Sequence, residues 1–374
     1  MFARVDEFLF CSYTRQVQKP IAPGKGRGAV SNASGRFERE AREAFDDGWT
    51  LGEDDAPAKL ETIVTREVAR TIVSRNTSPD ISFDRSINTY RGCEHGCIYC
   101  YARPNHAYAG LSPGLDFESR LFAKENAAEL LERELAAPNY TPATMVLGGV
   151  TDVYQPIERS YRITRAVLEV LQRHDHPVAL VTKSALVLRD LDILAPMAAK
   201  GLARVAISLT TLDKTLARTM EPRAASPLRR VETMRDLARA GVPVVAMTAP
   251  MIPALNDHEL EALLETAAEA GATAAGYVVL RLPLEIAELF EQWLAQHYPD
   301  RAAHVMSVMR QMRGGANYDA RWRVRQTGTG PFASLLAARF RRACTRLGLN
   351  RERTPLNASL FKRPTKAGDQ MELW

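Results

Sequence analysis

The chain has 374 residues, of which 46% are hydrophobic and 25% charged, and its formal net charge at pH 7 is +5. This length suits one large domain or two smaller ones, and the composition is that of an ordinary globular protein. Because no run of about 18 apolar residues occurs, no transmembrane helix is predicted. The N-terminus lacks the features of a signal peptide, and five cysteines are too few for a disulfide scaffold. These features predict a cytoplasmic protein with reduced thiols and no membrane partner.

Three segments of the chain differ in composition. Residues 1–60 are predicted to form a flexible N-terminal arm, because PIAPGKGRGAVSNASGRF is rich in Gly, Pro, Ser and basic residues and shows no apolar period. Residues 61–300 carry the regular pattern of a folded core. Residues 301–374 are predicted to be a basic, helical C-terminal extension, with eleven arginines and two acidic residues between Arg310 and Arg353. This extension could bind a polyanion such as a nucleic acid, or it could be a solvated basic face.

Six repeats of a short apolar strand and an amphipathic helix fill the core segment. The strands show no clean alternation, which is typical of a parallel sheet covered on both faces. The predicted strands lie at about residues 81–91, 144–148, 178–182, 203–209, 242–247 and 276–282. The predicted helices lie at about residues 119–135, 158–174, 188–200, 227–240, 257–270 and 284–297. This order predicts an α/β fold, as a partial barrel or an open sheet, with its site beyond the carboxyl ends of the strands.

The stretch YRGCEHGCIYC places Cys93, Cys97 and Cys100 within eight residues, in the loop after the first predicted strand. Three thiolates at this spacing can hold a soft metal centre. A structural zinc ion needs a fourth ligand, for which His95 or His106 is available. A [4Fe–4S] cluster held by three thiolates keeps one iron open to a substrate or cofactor.

Tyr99 stands directly before Cys100, and C-x3-C-x2-C with an aromatic residue at that position resembles the signature of the radical S-adenosylmethionine (SAM) superfamily. The resemblance covers roughly residues 86–299 and implies a partial (β/α)6 TIM-like barrel. The string GCEHGCIYCYARP, together with TD and TKS after the second and third strands, is similar to the spore photoproduct lyase-like branch and its uncharacterised bacterial members. That lyase has a hydrogen-donor cysteine where this chain has Val150, so repair of a thymine photoproduct by that route is not expected.

The resemblance implies that Cys93, Cys97 and Cys100 hold three irons of a [4Fe–4S] cluster while the fourth iron binds SAM. An electron from a flavodoxin- or ferredoxin-type reductase cleaves SAM to methionine and a 5′-deoxyadenosyl radical. This radical abstracts hydrogen from an unknown substrate, for which a nucleic acid is favoured over a peptide or small molecule. The alternative is a non-enzymatic, zinc-containing nucleic-acid-binding protein.

The resemblance also implies five SAM contacts. Tyr99 lies beside the adenine, Thr151 and Asp152 meet the methionine amine, and Lys183 pairs with the carboxylate. Ser208 reaches the ribose or the carboxylate. A helix cap is the alternative role for Asp152, and an exposed lysine at a strand end is the alternative for Lys183.

Overall fold

The computed structural model describes residues 26–38, 60–352 and 354–365. The strands are β1 (Ile63–Glu67), β2 (Val73–Arg75), β3 (Arg85–Ile87), β4 (Tyr90–Arg91), β5 (Arg120–Lys124), β6 (Met145–Leu147), β7 (Val178–Thr182), β8 (Ala203–Ser208), β9 (Val244–Met251) and β10 (Ala272–Val279). The helices are α1 (Asp116–Ser119), α2 (Ala127–Leu135), α3 (Glu158–Tyr161), α4 (Ile163–Arg173), α5 (Leu191–Ala199), α6 (Lys214–Met220), α7 (Pro227–Arg239), α8 (Leu260–Glu269), α9 (Ile286–His297), α10 (Pro299–Gln311) and α11 (Gly330–Leu347).

The main sheet has seven strands in the order β10-β9-β8-β7-β6-β3-β2. Its six barrel strands, β3 and β6 to β10, run parallel, and β2 pairs with β3 in the antiparallel direction. The sheet is not closed, because β10 and β2 are its two edges. A helix follows each parallel strand and returns the chain to the start of the next strand. The predicted α/β fold is confirmed, in the form of a partial TIM-like barrel.

Apolar periodicity explains why these segments fold as they do. All three residues of β6 are buried, as expected for a parallel strand that is covered on both faces. In α4, the completely buried Val167, Leu168 and Leu171 form one face of the helix. Helix starts are fixed by polar side chains, since Asp213 accepts hydrogen bonds from backbone amides in the first turn of α6.

A second, three-stranded sheet with the order β1-β5-β4 lies beside the start of the barrel. The prediction of a helix from residue 119 is wrong at its beginning, because residues Arg120–Lys124 form β5 and the helix starts at Ala127. The reason is that Leu121 and Ala123 are completely buried on one side of β5, which pairs along its whole length with β1. This pairing partner is more than fifty residues away in the chain, so local periodicity could not indicate it.

Residues 26–38 pack against the barrel, so the prediction of a flexible arm is wrong for this segment. Ala29 and Val30 are 0% and 1% exposed. Ser31 Oγ donates a hydrogen bond of 2.6 Å to Gln292 Oε1 on α9. The segment is held by its backbone amides and polar side chains, which leave no apolar period in the sequence. The remainder of the predicted arm, residues 1–25 and 39–59, lies outside the described residues.

The C-terminal extension contains α10 and α11, and the loop between them joins the two edges of the open sheet. Val279 N in β10 donates to Gln326 O at 2.7 Å. Arg325 Nε lies 2.5 Å from Asp80 Oδ2, in the connection between β2 and β3. No helix within residues 26–38, 60–352 and 354–365 is long and apolar enough to cross a membrane.

Candidate metal and cofactor site

The cysteine loop, residues 92–103, follows β3 and β4 at the carboxyl end of the parallel strands. Gly92 and Gly96 have φ values of +73° and +65°, which residues other than glycine rarely adopt. A Cβ on Gly92 would lie 2.6 Å from Leu121 Cδ2 and 2.9 Å from Phe117 O, so only glycine fits there. These tight turns bring Cys93, Cys97 and Cys100 into one loop as free thiols.

Two buried polar side chains, one at the end of the loop and one outside it, hold its irregular backbone. Arg103, itself completely buried, donates from Nε to Cys97 O at 2.9 Å and from Nη2 to Gly96 O at 3.1 Å. Gln155 Oε1 accepts a hydrogen bond from the Glu94 amide at 2.9 Å. Its Nε2 donates to Gly92 O, directly before Cys93, at 3.2 Å. Neither residue is predicted from the sequence, because buried polar side chains that bond to a loop backbone leave no sequence pattern.

Burial controls the charge state of the three thiols. It raises the pKa of Cys93 and Cys100 and raises the pKa of Cys97 to about 12, although the Lys183 ammonium opposes this at Cys97. The thiols are therefore protonated at neutral pH without a metal, and a bound metal would deprotonate them. Such thiols are soft donors that suit iron–sulfur chemistry.

Within the described residues, no group of three or more His, Cys, Asp or Glu side chains is close enough to hold a single metal ion. A structural zinc ion requires such a group. In an iron–sulfur cluster, by contrast, each thiolate binds a different iron. Three thiols, each binding a different iron, are the donor set of a [4Fe–4S] cluster with one open iron.

The two histidines that were candidates for a fourth zinc ligand have other neighbours. His95 Nδ1 lies 3.3 Å from Asp152 Oδ2. His106 packs edge-on against Phe117, with 5.6 Å between the ring centroids. Burial lowers the pKa of His106 to about 4, so its ring is neutral at physiological pH.

Tyr99 and Lys183 lie together beside Cys97. Lys183 Nζ stands 5.7 Å from the centroid of the Tyr99 ring. The Tyr99 hydroxyl donates to Glu221, which also forms a buried ion pair with Arg230. Burial opposes the charge on Glu221, but the cations of Arg230 and Lys183 outweigh it and keep the pKa of Glu221 below its usual value. The ring of Tyr99 is thus fixed at its hydroxyl end while a cation faces it.

Asp152 joins three segments through its two carboxylate oxygens. Oδ1 accepts from Tyr154 N at 2.9 Å and from Thr182 Oγ1 at 2.7 Å. Oδ2 accepts from Lys183 N at 2.8 Å, and His95 approaches the same oxygen. Burial opposes its charge, yet His95 and these donors lower the pKa of Asp152, so that it is an anion at neutral pH. A contact with the SAM amine stays a prediction.

The two remaining predicted contacts lie at strand ends. Thr151 Oγ1 donates to Tyr90 O at 3.0 Å, so this hydroxyl holds the backbone before the cysteine loop. Ser208 is the last residue of β8 and is buried, and its carbonyl accepts from Arg230 Nη1 at 3.1 Å. Their contacts with SAM also stay predictions.

An arginine between two tyrosines stands beside the last cysteine of the loop. The Arg281 guanidinium lies 4.9 Å from the ring centroid of Tyr101 and 6.0 Å from that of Tyr318. Tyr101 follows Cys100 directly and is 44% exposed, and its hydroxyl donates to Gly149 O. Arg281 follows the last barrel strand, so this group links the first and last parts of the barrel. Arg281 is not among the site residues predicted from the sequence.

A partial (β/α)6 barrel with three thiols in the loop after its first strand is the architecture of a radical SAM protein. The family model of the radical SAM superfamily matches residues 87–267. An uncharacterized protein of Mycobacterium tuberculosis is 34% identical over 232 residues, which are 62% of this chain and 68% of that protein. An uncharacterized protein of Methanocaldococcus jannaschii is 27% identical over 214 residues, covering 57% of this chain and 76% of the relative.

The chain belongs to the radical SAM superfamily and is an enzyme of that class. Membership implies SAM and a [4Fe–4S] cluster as cofactors. The fold is similar to that of spore photoproduct lyase in complex with a dinucleoside spore photoproduct. The TM-score is 0.56 at 17% identity, and the match covers 76% of this chain and 80% of the lyase. At this identity the likeness establishes the fold.

Proposed function

We propose that this chain binds a [4Fe–4S] cluster through Cys93, Cys97 and Cys100 and cleaves SAM reductively. The observation that carries the proposal is the set of three free thiols on one loop at the carboxyl end of the barrel strands. When bound, the cluster supplies the electron that splits SAM into methionine and a 5′-deoxyadenosyl radical, which takes hydrogen from the substrate. A flavodoxin- or ferredoxin-type reductase is the proposed electron donor.

The protein's own task in this proposal is to hold SAM beside the cysteine loop. Lys183 binds the carboxylate of SAM, because within the described residues its ammonium has no carboxylate at hydrogen-bond distance. Burial opposes its charge, and the nearby Glu221 carboxylate stabilises it. Tyr99 lies beside the adenine, with its ring fixed through the hydroxyl. Asp152 holds the backbone of Lys183 in place, and its carboxylate binds the amine.

The test is anaerobic reconstitution with iron and sulfide, followed by reduction in the presence of SAM. Wild-type protein should be brown, contain about four irons per chain and release 5′-deoxyadenosine. Cys97→Ala should lose both the colour and the product. Cys344→Ala is the matched control, because Cys344 is also a buried free thiol but belongs to α11. A Cys97→Ala protein that keeps the cluster and cleaves SAM would contradict the proposal.

For the substrate we propose a nucleic acid. The support is the surplus of arginines in the C-terminal extension. Several of these arginines bond to acidic groups of the chain itself, as Arg325 does to Asp80 and Arg339 to Glu261. Arg341 and Arg342 on α11 are exposed and form no ion pair within the described part of the chain, so they are the cations we assign to phosphate contacts.

This substrate assignment predicts a steep salt dependence. Binding of single-stranded and duplex oligonucleotides should weaken as salt rises, and the slope of log affinity against log salt should fall by about 1 for each phosphate contact that is removed. We expect Arg341→Gln and Arg342→Gln to reduce the slope. Arg346→Gln is the control, because Arg346 on the same helix is paired with Glu265. A flat salt response would indicate a different substrate.

A further inference from the structure

We propose that residues 26–38, named here the N-terminal clamp, position the cysteine loop for its cluster through Glu118 and Arg103. Residues 27–31 of the clamp are buried although its sequence is polar and rich in glycine. It is distant in sequence from the thiols and contacts no SAM candidate directly. Its role is therefore that of a positioning element, which acts on the metal site through other residues.

The first contact between clamp and loop is a close backbone approach at Gly28. A Cβ on this residue would lie 1.9 Å from Gly96 O, a carbonyl of the cysteine loop. The amides of Gly28 and Ala29 donate to the two carboxylate oxygens of Glu118 at 2.9 Å and 2.8 Å. Two successive backbone amides of the clamp thus donate to one carboxylate, and such charge-assisted hydrogen bonds are strong.

Glu118 is connected to the backbone of the cysteine loop through Arg103. Both side chains are completely buried and form an ion pair. Arg103 also donates to four backbone carbonyls, including those of Gly96 and Cys97. Because a buried guanidinium needs every donor satisfied, its position depends on Glu118. A shift of the clamp would move Glu118, then Arg103, and then the backbone that carries Cys97.

A second contact leads to Cys93 by a separate route. Asn32 Nδ2 donates to Asp116 Oδ1 at 3.1 Å, and the Asp116 amide donates back to Asn32 Oδ1 at 3.0 Å. This pair holds α1, in which Phe117 O accepts the Cys93 amide at 2.9 Å. The clamp therefore reaches the loop at two points, one nearer Cys97 and the other nearer Cys93.

The clamp also binds the far end of the barrel. Ser31 is hydrogen-bonded to Gln292 on α9, and Arg36 Nε lies 2.6 Å from Glu285 Oε1 at the start of that helix. The clamp thus ties the last barrel helix to the loop after the first barrel strand. Since the sheet is open between its edges, this tie fixes the distance between two parts that no β-ladder connects.

The test uses full-length variants with one matched control. Gly28→Ala places a methyl group against Gly96 O, whereas Gly26→Asn adds its side chain where no atom lies within 4 Å of a Cβ, at a positive φ that asparagine tolerates. Asn32→Ala breaks the second contact. The first readout is the alkylation rate of each cysteine in metal-free protein, resolved by peptide sequencing. The second is iron content and reduction potential after reconstitution.

We expect Gly28→Ala to raise the alkylation rate of Cys97 by about tenfold. This factor corresponds to a decrease of about 1.4 kcal/mol in the free energy of local opening around Cys97. Asn32→Ala should raise the rate at Cys93 more than at Cys97. Cys344 should react at the wild-type rate in both variants, and Gly26→Asn should match the wild type throughout. Both perturbing variants should bind less iron or shift the reduction potential of the cluster.

General destabilisation would raise the rates of Cys93, Cys97 and Cys344 together, and that outcome would overturn the positioning role. Wild-type rates, iron content and potential in both variants would overturn it as well. If Gly28→Ala does not fold, as judged by circular dichroism, Glu118→Gln replaces it, because the amide group puts a donor where an acceptor faces Gly28 and Ala29. The thiol rates report on the clamp even if the enzyme never cleaves SAM.

Discussion

Glu221→Gln is the substitution that most directly tests how the Tyr99 side of the site is held. The Glu221 side chain is 0% exposed, and its carboxylate accepts from Arg230, from the Tyr99 hydroxyl and from Thr210 Oγ1 at 2.8 Å. Removing one partner of a buried ion pair costs about 3–5 kcal/mol, because the other charge is left unpaired and buried. The free energy of unfolding of the metal-free protein should fall by about this amount.

The matched control is an exposed ion pair on α7, the helix that carries Arg230. Arg229 pairs with Glu232, and the side chains are 49% and 42% exposed, so Glu232→Gln should cost less than about 1 kcal/mol. Urea unfolding, followed by circular dichroism under reducing conditions, measures both variants. Equal losses for Glu221→Gln and Glu232→Gln would refute the assignment of Glu221 as a buried structural anion.

The pH dependence gives a second check on the same residue. The pKa of Glu221 is lowered in the folded state, so its contribution to stability is fully present above the unfolded value of about 4.3 and is lost as the pH falls through the folded pKa. The difference in unfolding free energy between wild type and Glu221→Gln should therefore be constant from pH 8 to about pH 5 and shrink only below about pH 4. A difference that already shrinks between pH 7 and pH 6 would contradict the lowered pKa.

Two further predictions concern Lys183 and His176. Lys183→Met should keep the iron content but weaken SAM binding about ten- to a hundredfold in equilibrium dialysis, since a hydrogen bond to a charged group contributes about 1.5–3 kcal/mol. The surface variant Lys200→Met should bind SAM with wild-type affinity. Unchanged affinity in Lys183→Met would show that the lysine does not contact SAM. His176 is buried, and burial lowers its pKa to about 4, so its contribution to stability is complete above about pH 6.5 and falls by about 2 kcal/mol between pH 7 and pH 5. His176→Gln should lose this part of the acid destabilisation in urea titrations, while the part due to His106 remains, and an unchanged pH slope would contradict the lowered pKa.

The sequence predicted the barrel well because each strand and helix is specified locally. The third predicted strand, residues 178–182, matches β7 residue for residue, and the fourth differs from β8 by one residue. Apolar runs that are flanked by helix starts carry this information within about ten residues of the chain. The cysteine spacing is equally local, so the thiols were identified without knowledge of the fold.

The parts that the sequence did not predict depend on contacts between distant residues. Glu118 lies about ninety residues from the Gly28 amide that it binds, and β5 is a strand because β1 pairs with it. The polar, glycine-rich composition of the clamp is the composition of a flexible tail, and only a carboxylate supplied from elsewhere makes it a buried element. Neither Arg103 nor Arg230 differs in sequence context from an exposed arginine on a helix.

These two arginines have the same kind of partner on either side of the cysteine loop, a buried glutamate. Arg103 pairs with Glu118 on one side and Arg230 pairs with Glu221 on the other, and all four side chains are at most 2% exposed. Such pairs add little stability compared with apolar residues. Their contribution is hydrogen-bond donors: Arg103 donates to carbonyls of the cysteine loop, and Arg230 donates to the carbonyls of Ala225 and of Ser208 at the end of β8. Because each pair is neutral overall, the charge of Lys183 remains available beside the thiols, as the proposed contact with the SAM carboxylate requires.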